Sequence, residues 1–475
     1  MGVTERSIQN MVLASTTLTG FLATFIGSAI NIALPLIGSE FNLSAVMLGW
    51  VSLAYVLATG AILMPAGRVA DLHGRKAVYT VGLVSFTVLS FATAVAPNAT
   101  VLIVFRVLQG LASALLFSST TAMVTLCYPP ETRGRALGIQ VGGVYLGLTL
   151  GPILGGVITH NIGWRGLFVV VGALSVINTG LAFWKLRGVE WREARTGRFD
   201  ILGSAVWAVA LTALLLGFTY LPSLVGALLI AVGVAGLATF LWWEGRADDP
   251  VLNVDLLRRN RVFAFSNAAA FINYSATFAM TFLMSLYLQY NRGLDAQTAG
   301  FVLVTGTFLQ AVLSPLAGRL ADRVQARLVA SAGMALCVLG LFGFVFLGAE
   351  TPYWYIITML CLLGIGYALF ASPITHTIMG SIEKRYVGTA GATLATMRVA
   401  GQNISMGLAT LVLAIVVGRH VVAPADYPNL LTSVRISFAI FAVLCVFGVL
   451  ASLVGPRQRH SADRDLDPSR TAENR

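Results

Sequence analysis

Fourteen apolar runs, each long enough to cross a bilayer, follow one another along most of this 475-residue chain. A bilayer core needs about 20 apolar residues per helix. The runs cover roughly residues 11–37, 47–69, 77–96, 100–124, 135–159, 164–186, 201–221, 224–243, 262–290, 297–318, 328–348, 353–379, 389–417 and 432–455. Because backbone polar groups inside lipid must be satisfied within the protein, we predict an all-α integral membrane protein with fourteen spans.

The charged and reactive residues agree with this class. Only 11% of the residues are charged, against about 25% in average globular proteins. The net charge of +11 does not indicate nucleic-acid binding, because the cations fall between apolar runs and not on one soluble face. The four cysteines lie within or beside apolar runs and lack metal-ligand spacing. The first run is too long for a cleavable signal peptide, so we expect it to remain as a helix.

The distribution of Lys and Arg predicts the orientation. With the N-terminus inside, 25 of the 31 cations fall on the cytoplasmic side and 4 on the other, while Arg106 and Arg398 lie within spans. Such a bias is typical of a cytoplasmic face. We therefore predict a multi-pass protein of the cell (cytoplasmic or inner) membrane with both termini in the cytoplasm.

An internal repeat divides the chain. The stretch Gly67–Lys76 has a weaker copy at Gly318–Arg327, 251 residues later, and both carry an Asp at the fifth position. Spans 4 and 12 also resemble each other, so the repeated halves are spans 1–6 and 9–14. The expected division is a six-helix bundle, linkers with two extra helices, a second six-helix bundle and a disordered cytoplasmic tail. Its boundaries are 1–187, 188–261, 262–455 and 456–475.

Several motifs carry a resemblance that covers the whole chain. They are Gly67–Lys76, Leu102–Gly110, Gly147–Gly156, Trp164-Arg165 and Phe199–Gly203. With these motifs the sequence resembles the major facilitator superfamily, and more narrowly its fourteen-helix drug:proton antiporter branch. The resemblance implies two six-helix bundles plus two inserted helices, a binding site between the bundles, and export by alternating access.

The first motif predicts a latch on the cytoplasmic side. Gly67 and Gly74 are expected to permit a tight reversal, and Asp71 beside Arg75 can accept hydrogen bonds from a helix start. The resemblance suggests that this start is that of span 13, near 388–391. By pseudo-symmetry, Asp322 is expected to meet the start of span 5, near 134–137. The alternative is an ordinary basic loop that only sets topology.

The span-5 motif predicts a helix with a bare face. Gly147, Gly151 and Gly155 are spaced four apart, which lets another helix approach closely. Pro152 is expected to bend the span, and Gly156 completes the motif. Packing of small residues alone is the simpler interpretation, but span 13 has no Gly-Pro counterpart. The resemblance interprets this asymmetry as an antiporter signature.

Two arginines lie inside spans, where a charge usually faces a cavity or a partner. By the resemblance, Arg106, together with Gln109, is a candidate for substrate binding or proton coupling; the alternative is that it snorkels to the outer interface. Arg398 has the same candidate role, or faces backbone carbonyls or the cytoplasmic vestibule. Other polar residues within spans are candidates to line the site. They are Asn31, Tyr55, Tyr145, Asn273, Tyr274, Gln310 and Asn403.

The sequence departs from this branch in its acidic residues. The branch commonly has an Asp in span 1, where this chain has Ile26, and none of the twenty Asp and Glu residues lies at mid-membrane. Proton antiport needs a titrating group, which leaves Asp71, Asp200, Asp322 or His376 as candidates. Arginines without an acid suit neutral, hydrophobic or anionic amphiphiles better than multivalent cations.

We therefore predict a transporter that exports hydrophobic or amphiphilic small molecules, as in multidrug efflux, with protons as the coupled ion. An uncoupled exporter of a lipid, fatty acid or secreted metabolite is the first alternative, and a transport-dead membrane sensor or scaffold is another. An enzyme is not expected, because no ATP-binding loop, metal cluster or nucleophile–base pair appears. The expected partners are the lipid bilayer, the substrate and protons, without nucleic acid or cofactor, and the expected state is a monomer.

Overall fold

The computed structural model describes residues 3–185, 200–247, 252, 254–383 and 387–453. Its helices are numbered here in chain order. They are α1 (Val3–Phe41), α2 (Ala45–His73), α3 (Arg75–Ala94), α4 (Ala99–Cys127), α5 (Pro130–Ile162), α6 (Trp164–Lys185), α7 (Ile201–Tyr220), α8 (Leu224–Glu244), α9 (Val254–Arg259), α10 (Arg261–Thr277), α11 (Met280–Leu286), α12 (Ala296–Arg323), α13 (Ala326–Phe344), α14 (Tyr353–Gly380), α15 (Val387–Val416) and α16 (Tyr427–Leu453).

Fourteen segments of the described chain are long and apolar enough to cross a membrane. Each overlaps one predicted span, so the all-α membrane class is confirmed. The first helix begins at Val3, eight residues before its predicted start, and the last helix begins at Tyr427 and not near 432. Its first turns contain Thr432 and Ser433, whose hydroxyls donate to carbonyls of their own helix. The predicted disordered tail, 456–475, lies outside the described residues.

The first motif is mostly helix and not a turn. Helix α2 continues to His73, and α3 begins at Arg75. Only Gly74 reverses the chain, with φ of 95° in the region that favours glycine. The prediction that Gly67 belongs to the reversal is therefore wrong, because helical hydrogen bonding continues after the apolar run ends. In the second copy α12 likewise continues to Arg323.

The helices form two bundles, called here the N-half (α1–α6) and the C-half (α10–α16). In the N-half, α1 packs on α5 and α6, while α4 packs on α2 and α3; in the C-half, α14 packs on α12 and α13, and α10 on α15 and α16. The halves meet along two seams, α5 with α12 and α2 with α15. The two ends of the bundle are called the Gly74 end and the Gly163 end, after a glycine in a loop at each.

The inserted helices α7 and α8 pack on each other, and α7 also contacts both α2 and α15. The Trp207 indole donates to the carbonyl of Gly60 at 2.9 Å, and the Trp50 indole donates to the Thr219 hydroxyl at 3.1 Å. The pair of inserted helices, α7 and α8, therefore covers the seam between α2 and α15.

Candidate functional site

Span nine is broken where it meets the N-half. Helix α10 ends at Thr277, α11 begins at Met280, and a π turn follows at Tyr287–Asn291. The amide of Ala279, in the break, donates to the Ser405 hydroxyl of α15 at 3.0 Å. Short π segments inside helices often occur at functional sites. The break lets the segment beyond it lean on α1.

A proline creates the main contact between that segment and α1. Pro35 has no amide hydrogen, so the carbonyl of Asn31, four residues earlier, loses its helical partner. The Ser285 hydroxyl of α11 donates to this carbonyl at 2.7 Å, and the Gln289 amide donates to the next carbonyl, that of Ile32, at 3.0 Å. The C-half thus satisfies the one carbonyl that Pro35 leaves open and adds a donor to the next carbonyl.

Toward the Gly163 end, the helices on the two sides of each seam are in close contact. A Cβ on Gly300 of α12 would lie 2.2 Å from the Pro152 carbonyl, and one on Gly156 would lie 2.5 Å from the Ala296 carbonyl. Across the other seam, the Asn403 amide of α15 donates to the Val56 carbonyl of α2 at 3.2 Å. Backbone contacts of this kind close the space between the halves at this end.

Toward the Gly74 end, α5 is bare. Among the described residues, and apart from the backbone of α5 itself, no heavy atom lies within 4 Å of the position that a Cβ would take on Gly134, Gly138 or Gly142. Beside them, α1 and α5 form a groove with a volume of about 450 Å³. It is lined mainly by Leu13, Leu18, Phe21, Ile139 and Leu146, with Asn10 and Thr17 as its polar groups. This end therefore offers an open, mostly apolar wall.

The glycine stripe of α5 faces α1 and not the C-half. A Cβ on Gly147 would lie 2.4 Å from the Phe21 carbonyl, and those on Gly151 and Gly155 would lie 2.6 Å from Ser28 and 2.8 Å from Ala29. The stripe therefore holds the N-half together. Pro152 frees the carbonyl of Leu148, to which the Ser28 hydroxyl donates at 3.3 Å.

Arg106 is sealed inside the N-half, with none of its surface exposed. Its Nε donates to the Val51 carbonyl at 3.2 Å, its Nη1 to Gln109 at 2.7 Å, and its guanidinium lies 4.3 Å from the centre of the Tyr55 ring. Among the described residues its Nη2 has no hydrogen-bond partner. Arg106 does not reach the outer interface, and in this conformation it does not line the space between the halves.

Arg398 has a different setting, at mid-depth between the halves. The Tyr145 hydroxyl of α5 faces the Tyr274 hydroxyl of α10, and the Arg398 guanidinium of α15 lies near enough to act on Tyr145 electrostatically. All three side chains are half-buried. They join one helix of the N-half to two of the C-half.

The remaining predicted site residues are dispersed. Asp71 pairs with Arg75 one turn away, at 2.6 Å. The helix start near 388 is described only in its backbone, and the side chain of Asp322 lies outside the described part of the chain, so the latch stays a prediction. Asn31 is buried and accepts from the Ser52 hydroxyl at 2.7 Å. His376 is exposed, one turn before α14 ends at the Gly74 end.

Sequence reasoning missed the side chains that satisfy freed carbonyls. Ser285, Gln289 and Ser28 are ordinary polar residues in their own helices, and nothing local distinguishes them. The available signal was the proline four residues after Asn31 and after Leu148, which showed that a donor was needed but not which helix would supply it. The Ile32 carbonyl, to which Gln289 donates, has Leu36 in that position and gave no such signal.

The model of the family described as Major Facilitator Superfamily matches residues 16–243 and 266–472. A riboflavin transporter, RibZ of Clostridioides difficile (strain 630), is 28% identical over 393 residues, or 82% of this chain and 84% of that protein. Multidrug resistance protein Stp of Mycobacterium tuberculosis (strain CDC 1551 / Oshkosh) is 30% identical over 418 residues, or 86% of this chain and 76% of that protein.

Among solved structures, a bacterial homologue of the human lysosomal transporter Spinster aligns with a TM-score of 0.67 at 14% identity. The alignment covers 95% of this chain and 97% of that one. At this identity the likeness concerns the fold alone, and it agrees with two helix bundles that meet along two seams.

Proposed function

Because this chain belongs to the major facilitator superfamily, we propose that it exports hydrophobic or amphiphilic small molecules by alternating access, with proton antiport as the energy source. The observation that carries the proposal is the contrast between the two ends. Backbone contacts close the Gly163 end, whereas α5 presents bare glycines and an apolar groove at the Gly74 end. A carrier with one end closed and one open is one state of an alternating-access cycle.

The direction of transport follows from the predicted orientation. If the Gly74 end is cytoplasmic, as the Lys and Arg distribution predicts, the groove receives molecules from the cytoplasm or the inner leaflet. The name of the multidrug resistance relative supports efflux, and that of the riboflavin transporter supports a small-molecule cargo. Opening of the Gly163 end would then release the cargo outside.

Transport is tested with the purified full chain in vesicles that carry a lipophilic fluorescent dye. We expect dye efflux that rises with an imposed pH gradient and collapses when a protonophore is added. Efflux indifferent to the gradient would contradict antiport and favour the second candidate, an uncoupled exporter of a lipid, fatty acid or metabolite. The absence of a mid-membrane carboxylate from the sequence favours that candidate. An absence of transport for every dye would contradict export itself and favour a sensor or scaffold.

The proposed proton carriers and the proposed latch are tested in the same vesicles. Asp71→Asn removes a carboxylate that pairs with Arg75 at the Gly74 end, and His376→Gln removes a titratable ring. We expect Asp71→Asn to lower efflux about tenfold or more if the latch completes the cycle. Glu350→Gln, at an exposed carboxylate in a connection between helices, is the matched control and should transport normally. Unchanged efflux by Asp71→Asn would contradict the proposed latch.

A further inference from the structure

Arg398 is a cation at mid-membrane without a counter-ion. The described residues give its guanidinium neither a hydrogen bond nor an ion pair, although it is only half-buried. A guanidinium carries five N–H donors and stays charged in proteins. Inside a membrane such a group normally faces a cavity or a partner. The described residues supply no such partner to Arg398.

The surroundings of Arg398 add donors but no acid. Tyr145 and Tyr274 place their hydroxyls beside one another, near enough to the guanidinium for Tyr145 to interact with it electrostatically. The sequences of the three helices concerned, α5, α10 and α15, contain one carboxylate between them, Glu131, at the first turn of α5. That residue lies 14 positions before Tyr145, about 21 Å along a helix. A positive, donor-rich site without an acid is complementary to an anion.

The contrast with Arg106 sharpens this assignment. Arg106 is fully buried and held by Val51, Gln109 and the Tyr55 ring, so its charge is shielded from the space between the halves. Of the two arginines, Arg398 is therefore the one whose charge is accessible from the space between the halves. Leu146 directly follows Tyr145, but adjacent residues of a helix point about 100° apart, so the groove that Leu146 lines lies on a different face of α5 from Tyr145.

We propose that Arg398, Tyr145 and Tyr274 form a midplane subsite for an anionic group of the cargo, a carboxylate or an acidic phenol. The inference rests on the proposed export function and specifies its substrate class as amphiphilic organic anions. Because the subsite draws on both halves, an anion bound there contacts both sides of the alternating-access interface.

Two dyes with the same tricyclic xanthene scaffold test the charge preference. Fluorescein is anionic at neutral pH, and rhodamine 123 is cationic. Binding to the purified full chain in detergent is measured by fluorescence anisotropy, which requires no transport. We expect the native chain to bind fluorescein more tightly than rhodamine 123. Arg398→Gln should weaken fluorescein binding about tenfold, because a charge-assisted contact is lost, and leave rhodamine 123 binding unchanged or tighter.

Further variants separate recognition from folding. Arg398→Lys keeps the charge and should retain the preference for fluorescein in part, while Tyr145→Phe and Tyr274→Phe should each weaken fluorescein binding about threefold. The control is Arg246→Gln, the same change at an exposed arginine that donates to the Trp242 carbonyl of its own segment. It should bind both dyes as the native chain does. A native chain without preference, or an Arg398→Gln variant that keeps it, overturns the proposal.

The same dyes in vesicles distinguish failure of this site from failure of export. Loss of fluorescein efflux alone in Arg398→Gln supports the subsite. Equal loss of both dyes, with binding preference intact, contradicts it and assigns Arg398 to the conformational cycle. Anion-selective binding without any efflux of either dye keeps the subsite and rejects the proposed export.

Discussion

Helices α5 and α15 occupy equivalent places in the two halves, yet they make their contacts with different chemistry. Each packs on the first helix of its own half, α1 or α10, and on a helix across a seam, α12 or α2. Helix α5 uses bare backbone at Gly147, Gly151 and Gly155. Helix α15 brings one glycine, Gly401, against the Phe271 carbonyl of α10, and otherwise uses polar side chains. Asn403 is bonded to α2 and Ser405 to the break in span nine.

The difference shows that the repeat preserves packing partners but not the means of packing. A glycine stripe gives a close fit that tolerates no added atom, so α1 and α5 are expected to move together. Hydrogen bonds from side chains break and re-form at a modest free-energy cost, about 1 kcal/mol each. We therefore expect α15 to adjust during the cycle and α5 to move as part of a rigid N-half.

The largest expected effect comes from filling the α5 stripe. In Gly147→Ala, the new Cβ would lie 2.3 Å from the Thr24 hydroxyl and 2.4 Å from the Phe21 carbonyl, which forces the two helices apart. Overpacking of this kind costs about 1–3 kcal/mol. We expect dye efflux to fall at least about tenfold, together with a lower Tm. The control is Gly180→Ala in α6, where no described heavy atom beyond its own helix backbone lies within 4 Å of the new Cβ. It should retain both, and equal behaviour of the two variants would refute the rigid stripe.

The next effect comes from the α15 seam. Asn403→Ala removes a donor to the Val56 carbonyl at 3.2 Å, a bond that helps to hold the Gly163 end closed. Loss of about 1 kcal/mol shifts the equilibrium toward opening about fivefold. The distance between the halves is measured by double electron–electron resonance. Spin labels are placed at Ser39 and Glu350 in a background without native cysteines.

In Asn403→Ala we expect a larger share of molecules to show a long distance between the labels at Ser39 and Glu350. The control is Asn161→Ala, whose amide donates only to the Val157 carbonyl of its own helix and which should leave the distribution unchanged. A distance distribution that does not move in Asn403→Ala would mean that the polar contacts of α15 are as rigid as the stripe of α5.

The same two helices show how far the sequence predicts the structure. Spacing of four residues predicts the glycine stripe of α5, because helical periodicity alone puts Gly147, Gly151 and Gly155 on one side. It does not reveal that this side faces α1. The meeting of Tyr145 and Tyr274 depends on how the two halves dock, and no local pattern encodes that placement. The turn predicted at Gly67 was wrong for a local reason. The charged residues there mark where the apolar run ends, but the helix itself continues to His73.

A smaller effect tests the proline-freed carbonyl of α5. In Ser28→Ala the carbonyl of Leu148 loses the hydroxyl that donates to it at 3.3 Å, while Pro152 still cannot supply an amide. An unsatisfied buried carbonyl costs about 1 kcal/mol or more, so we expect Tm to fall by about 2 °C. Ser39→Ala, at an exposed serine of the same helix, should leave Tm unchanged. Equal Tm values for both variants would show that Leu148 needs no partner.

The smallest effect concerns the helix caps at the two seams, which also differ between the halves. Helix α2 is capped by a neutral residue, Ser44, whereas its counterpart α12 is capped by Asp295, which accepts from Gln297 and Thr298 and lies 3.6 Å from His160 of α5. Hydrogen bonds from Thr298 hold the pKa of Asp295 below its usual range. A carboxylate with a lowered folded pKa contributes stability above its unfolded pKa of about 3.9, and this is lost as pH falls through the folded value.

Asp295→Ser gives α12 the kind of cap that α2 has. The comparison is made in a His160→Gln background, so that the carboxylate is the group that titrates at this contact. We expect a Tm about 1 °C lower than that of the Asp295 chain at pH 7. The difference should shrink as pH falls below the unfolded pKa of about 3.9 and be lost below the lowered folded value. A difference that stays constant from pH 7 to pH 2.5 would mean that Asp295 acts by its shape and hydrogen bonds alone, as Ser44 does, and the charge asymmetry between the two seams would have no energetic consequence.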